Sequence, residues 1–191
     1  MALDRPISNK NPVSTEASIV SLSFSGKDGF LLDPTNGPLF VTHDAGASWQ
    51  MLGAHPNFIS VLALAGNRAL AVSTPDSQLY FSGDGGKSWR PVPVTSAGNT
   101  LGVNQLAASD ANHIWVSTNQ GLVMRTADGG KSWTAIRFRS SFVSSGLSFI
   151  SPRIGFCSAA GPVGNAFLSP LITRDGGRTW YPLPQRGIPF Y

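Results

Sequence analysis

The sequence predicts an all-β fold: a β-propeller of four four-stranded blades, either a closed four-bladed ring or half of a larger ring. Three observations predict it. Four nearly identical eight-residue segments recur along the 191 residues. Each segment lies between two short apolar runs, the arrangement of a turn joining two strands. The composition also lacks the material of exposed helices, with Glu16 as the sole Glu and only four Lys, against 21 Gly and 14 Pro.

The segments are Thr42–Trp49, Ser82–Trp89, Thr126–Trp133 and Thr173–Trp180, with tryptophans 40, 44 and 47 residues apart. Four of the five Trp occupy this one position. A fixed period of this length is the mark of a repeat architecture whose units each bury a face on a neighbour. Within a segment, Asp-Gly or Gly-Gly supplies positive φ, as tight hairpins demand. The Asp carboxylate can accept hydrogen bonds from the turn's own amides, and the Ser/Thr hydroxyls can close the loop. The terminal Trp is an apolar anchor, and one buried environment is expected for all four.

The remaining strands follow from short apolar runs. Before each segment come Leu39–Val41, Leu79–Phe81, Leu122–Met124 and Leu168–Ile172, and behind the third lies Trp133–Phe138. Two further strands precede each of these: 19–24 and 29–32, 58–65 and 69–72, 104–108 and 113–116, 146–150 and 153–157. Four strands in about 40 residues is the content of one propeller blade. Blades are expected at 17–55, 56–97, 101–140 and 142–184, after a lead of residues 1–16 and before a tail of residues 185–191. The stretch 95–100 reads as a longer connection between blades, and residues 5–13 and 187–191 read as clasps closing the ring.

These segments resemble the Asp boxes of BNR-repeat proteins, and the rhythm of the whole chain is most similar to the photosystem II assembly or stability-factor type. The shared positions are Asp44, Gly46 and Trp49; Asp84, Gly86 and Trp89; Asp128, Gly130 and Trp133; Asp175, Gly177 and Trp180. The resemblance implies a β-propeller, with the boxes as structural turns at its outer rim. Family propellers often have six or seven blades, whereas four units are present here. Sialidases also carry Asp boxes, so the resemblance offers a sialidase-like glycoside hydrolase or glycan-binding module as the alternative. The Phe/Tyr-Arg-Ile-Pro motif of sialidases is absent, and Pro152-Arg153-Ile154-Gly155 only echoes it.

Other chemistry finds no support in the residues. Carboxylates outside the boxes lie mainly in turn contexts, and His43, His55 and His113 lack metal-ligand spacing. Neither a Gly-x-Ser-x-Gly elbow nor a phosphate or dinucleotide loop occurs. Cys157, the single cysteine, lies in an apolar run and reads as a small core residue. Trp115 could stack on a sugar, although a strand Trp more often belongs to the core. No catalytic residue, metal site or cofactor is therefore expected.

A net charge of +4 rests on 14 basic residues, ten of them Arg, with no basic run longer than two. That density is too low for a nucleic-acid face. The expected function is a non-enzymatic binding or assembly scaffold, because loops on a rigid frame carry recognition. Its contact surface is expected among the arginines outside the boxes: Arg68, Arg125, Arg137, Arg139 and Arg153. A protein is the expected partner, with a glycan as second class, no nucleic acid and no membrane span, and a homodimer as one route to a larger ring. A soluble chain is expected, periplasmic or secreted if a leader has been removed.

Overall fold

The computed structural model describes residues 21–33, 38–136, 143–160 and 170–183. The fold class is that of the sequence reading: all-β, a β-propeller built from four four-stranded antiparallel blades, with no helix among the described residues. The lead 1–16, the tail 185–191 and the expected clasps at 5–13 and 187–191 lie outside the described residues. The chain divides into two compact units, residues 1–93 and 94–191.

The first unit holds two blades. In blade 1, β1 (Ser21–Ser25), β2 (Asp28–Leu32), β3 (Leu39–Thr42) and β4 (Gln50–Met51) pair in sequence order. Blade 2 repeats the meander with β5 (Phe58–Leu64), β6 (Arg68–Ser73), β7 (Leu79–Ser82) and β8 (Arg90–Pro91). Phe30, Leu32, Leu39 and Val41 of blade 1 bury against Phe58, Val61, Ala63, Ala69 and Ala71 of blade 2. Large side chains on one face meet alanines on the next, which lets the sheets stack closely. The innermost strands are joined by side chains rather than by a ladder. Ser21 Oγ donates to Val61 O at 3.1 Å and accepts from Val61 N at 3.1 Å, while Ser23 Oγ accepts from Ala63 N at 2.9 Å.

The second unit opens with a hairpin. Where the sequence reading saw only a connection at 95–100, β9 (Thr95–Ser96) pairs with β10 (Asn99–Thr100). The two turn residues, Ala97 and Gly98, both have positive φ, 50° and 81°. That is the pattern of a two-residue primed turn, which matches the twist of its strands. Ala97 hides the signal, since such turns favour Asn, Asp or Gly there. Alternate burial of Val92, Val94, Leu101 and Val103 anchors the stems.

Blade 3 comprises β11 (Val103–Ala108), β12 (Ile114–Thr118), β13 (Val123–Thr126) and β14 (Thr134–Ile136). Blade 4 comprises β15 (Val143–Phe149), β16 (Gly155–Ala160), β17 (Leu171–Thr173) and β18 (Tyr181–Pro182). Ala107, Trp115, Val123 and Ile136 bury against Phe149, with Leu147 and Trp180 packed alongside. Trp115 is 0% exposed, and its ring stacks on Phe149 with centroids 3.5 Å apart and planes 5° apart. Its Nε1–H donates to Gly176 O at 3.0 Å. Trp115 is therefore a core residue bridging two blades, and the sugar-stacking reading is overturned. Cys157 is 1% exposed in β16, a small core side chain.

A recurrent device orders the inner strands of blades 1 and 4. Phe24 pairs with Gly29 and Phe149 with Gly155, so each ring lies across a glycine on the neighbouring strand. A Cβ on Gly155 would lie 2.4 Å from the Phe149 ring, and one on Gly29 would lie 2.5 Å from Phe24. We expect Gly155→Ala to destabilise the protein by about 1–3 kcal/mol through overpacking, read as a lowered denaturation midpoint. A neutral effect would place the Phe149 ring elsewhere.

Candidate functional site

The four boxes share one hydrogen-bond scheme. In the last of them, Thr173 Oγ1 donates to Asp175 Oδ1 at 2.8 Å and accepts from Gly177 N at 2.8 Å. The carboxylate then spans the turn: Oδ1 accepts from Thr179 N at 2.9 Å and Oδ2 from Thr179 Oγ1 at 2.6 Å. The same atoms bond in the turns of Asp44, Asp84 and Asp128. Both carboxylate oxygens are thus engaged inside each turn. Gly46, Gly86, Gly130 and Gly177 all have positive φ, between 82° and 91°. There an L side chain would be strained.

The box tryptophans depart from the expectation of one shared buried environment. All four are half-buried, because each indole lies at the end of a solvent-facing turn. Trp49 packs edge-on against Phe24, Trp89 against Phe30 and Phe58, and Trp180 against Phe149. Trp89 and Trp180 each hook the carbonyl of their own turn glycine, Nε1–H to Gly86 O at 3.1 Å and to Gly177 O at 3.0 Å. Trp133 Nε1 is buried without an acceptor among the described residues.

Hydrogen bonds to the charged form lower the box carboxyls. Ser48 and Ser88, through side chain and then backbone, hold Asp44 and Asp84 down to about 2. Ser132, through side chain and then backbone, likewise lowers Asp128 well below the usual carboxylate range. For Asp175 burial pushes upward, but bonds from Thr179 and Thr173 outweigh it and leave the group at about 2. A folded pKa below the unfolded one means stability that is present above the unfolded value and lost as pH falls through the folded one. Thermal midpoints should accordingly drop between about pH 4 and pH 2. We further expect Thr173→Val, which leaves the buried Gly177 N–H unpaired, to cost about 1–3 kcal/mol in a denaturant titration.

Against this regularity one position stands out. The residue just before each box pairs across the sheet with the residue just after its Trp, giving Val41 with Gln50, Phe81 with Arg90, Arg125 with Thr134 and Ile172 with Tyr181. Three of these floor residues are apolar. In blade 2, Arg90 lies over the Phe81 ring at 4.7 Å, beside a groove of about 280 Å³. In blade 3 the corresponding groove is about 570 Å³, with Arg125 on its floor and the small Thr134 opposite. Asp128, Ser132, Ile136 and Arg178 complete its walls.

Arg125 is half-buried, and its Nη1–H donates to Gly176 O at 3.4 Å. Burial and then repulsion from Arg178 lower its pKa, partly offset by Asp175. A guanidinium nevertheless stays protonated. Among the described residues the ion pairs are His43 with Asp28 and His113 with Asp110, and neither groove arginine takes part in one.

The other expected contact residues fall in several places. Arg153 is exposed, and its carbonyl accepts from Gly176 N at 2.8 Å, so Arg125 and Arg153 meet at the same turn. Arg68 belongs to the first unit, where its Nε–H donates to Ala65 O at 2.8 Å. Arg137 and Arg139 lie outside the described residues. Arg178 was missed because it fills a box position that is Lys87 in blade 2 and Lys131 in blade 3. Among the described residues no cluster of His, Cys, Asp or Glu could hold a metal, and no helix is long and apolar enough to cross a membrane.

Residues 7–147 match the family model of the Photosynthesis system II assembly factor YCF48. The protein belongs to this family. No sequence among the curated proteins gives a match. Among solved structures, the chain is similar to YCF48 bound to D1 peptide, with a TM-score of 0.54, 16% identity, and coverage of 86% of this chain and 66% of that one. It therefore spans about two thirds of the length of that relative. It is also similar to YCF48 from Cyanidioschyzon merolae, with a TM-score of 0.52, 14% identity, and coverage of 91% and 74%. An ancestral GH74 enzyme has a TM-score of 0.57 at 16% identity, over 86% of this chain but only 25% of the enzyme. At such identities the structural likenesses speak to the fold alone. The matched family is that of an assembly factor.

Proposed function

We propose that this protein is a non-catalytic assembly scaffold that docks a partner polypeptide on its blades. The observation that carries this reading is the match to an assembly-factor family over residues 7–147. It is supported by the similar fold of YCF48, whose structure is bound to a D1 peptide. The chemistry of the described residues agrees with it. Each box carboxylate is consumed by its own turn, and the half-buried groove on blade 3 offers guanidinium groups, which bind and orient without doing acid–base work at neutral pH.

The glycoside hydrolase alternative rests on fold likeness, and a fold hosts many unrelated functions. Isothermal titration with a synthetic D1 peptide tests the scaffold reading directly. We expect saturable binding, with the peptide's mass unchanged after prolonged incubation. Absence of saturable binding, or a peptide cleaved or modified on incubation, would overturn it.

A further inference from the structure

We propose that the groove on the third blade is a carboxylate-binding subsite for a polypeptide, with Arg125 and Arg178 as its two anchors. This rests on the scaffold reading and gives it a location.

The argument begins with the repeat. Register-equivalent positions in the four blades hold Val41, Phe81, Arg125 and Ile172. The apolar residues fit a sheet face partly covered by the next element. A charge at such a position costs desolvation unless something answers it. Arg125 is half-buried, yet its hydrogen-bond partner among the described residues is a single neutral carbonyl, Gly176 O, at a long 3.4 Å. A guanidinium carries five N–H donors in a planar fork, so most of its capacity remains for a ligand.

The partner position points the same way. Blade 2 lays Arg90 over Phe81, whereas blade 3 places the smaller Thr134 opposite Arg125, beside a groove of about 570 Å³. A second guanidinium, Arg178, enters the same groove from the blade 4 box. Two like charges repel when brought together, and an anion between them converts that repulsion into attraction on both sides.

The nearby acids do not already serve this purpose. Asp128 lines the groove, but its Oδ1 accepts from Thr126 Oγ1 and Ser132 N, and its Oδ2 from Ser132 Oγ. Asp175 is committed in the same way to Thr173 and Thr179. A ligand carboxylate fits the forked geometry of guanidinium better than a spherical anion does, because both partners are planar and can bond bidentately. The walls formed by Thr134, Ala135 and Ile136 of β14 would lie along the chain that carries it.

The test compares two forms of the D1 peptide, one with free carboxylates and one with every carboxylate amidated, by fluorescence anisotropy. Binding is measured on the wild type, Arg178→Ala, Arg125→Met and Arg68→Ala. Arg125→Met keeps the length of the side chain, and Arg178 is exposed on a turn, so its variant is read alone should Arg125→Met fail to melt cooperatively. We expect the amidated peptide to bind the wild type about tenfold more weakly. Each groove variant should lose about tenfold for the free acid and little for the amide, with Arg68→Ala unchanged. Added salt should erode the wild-type preference. Equal binding of both peptides by the wild type, or wild-type affinity in both groove variants, overturns the subsite and leaves the scaffold reading standing. Failure of the wild type to bind either peptide overturns both.

Discussion

The hydroxyl–carboxylate lattice of the box turn is the constraint on which the rest of the structure depends. A turn with consecutive positive-φ residues is entropically expensive to hold. Here one Ser/Thr hydroxyl and one Asp carboxylate hold it from within. Thr42, Ser82, Thr126 and Thr173 are all exposed by 2% or less, so their hydroxyls work away from water. With the turn fixed, the third strand of each blade returns as the fourth in a set register and the Trp arrives at the edge of the sheet. Stacking of one blade on the next follows from that placement. Gly86 and Gly177 make the point, since a Cβ there would meet Leu52 and Phe30 in the first unit and Ile136 in the second, at 2.6–2.9 Å.

The same lattice explains why the box is a poor place to look for function and the residues around it a better one. Inside the turn the first hydroxyl and the Asp carboxylate have fixed tasks, while solvent-facing positions such as His43, Lys87, Lys131 and Arg178 are free to differ from copy to copy. Immediately outside it, the floor residue and its cross-strand partner obey only the demand to cover the sheet. Arg125 departs from that demand while the box next to it keeps the common bonding scheme. A repeat protein offers this comparison within a single chain: four copies of one environment, three treated alike and one treated differently.

Much of the fold was legible because the signals are local and repeated. The strands leading into the boxes, the box turns and the innermost strands all follow from spacing and apolar runs. What was not legible depends on contacts between elements distant in sequence. Trp115 lies in a strand 61 residues from the Gly176 carbonyl that receives its indole N–H, and nothing local distinguishes it from an exposed aromatic. The Phe24–Gly29 and Phe149–Gly155 pairs need cross-strand register to be seen. The hairpin at 95–100 hid behind an Ala at a left-handed position. For the candidate site, Arg125 was visible as an arginine outside the boxes, but its floor position required the pairing scheme and Arg178 was obscured by the motif that contains it.

Each box closes its side-chain hydrogen bonds within a span of seven residues, from the first hydroxyl to the last. Sequence separation that short makes ring closure of the chain cheap and fast. Every blade therefore carries its own folding nucleus, able to form its outer hairpin before any neighbour is present. The turn is thus a local device that each of the four blades carries for itself, whatever its floor residue and neighbouring strands contain.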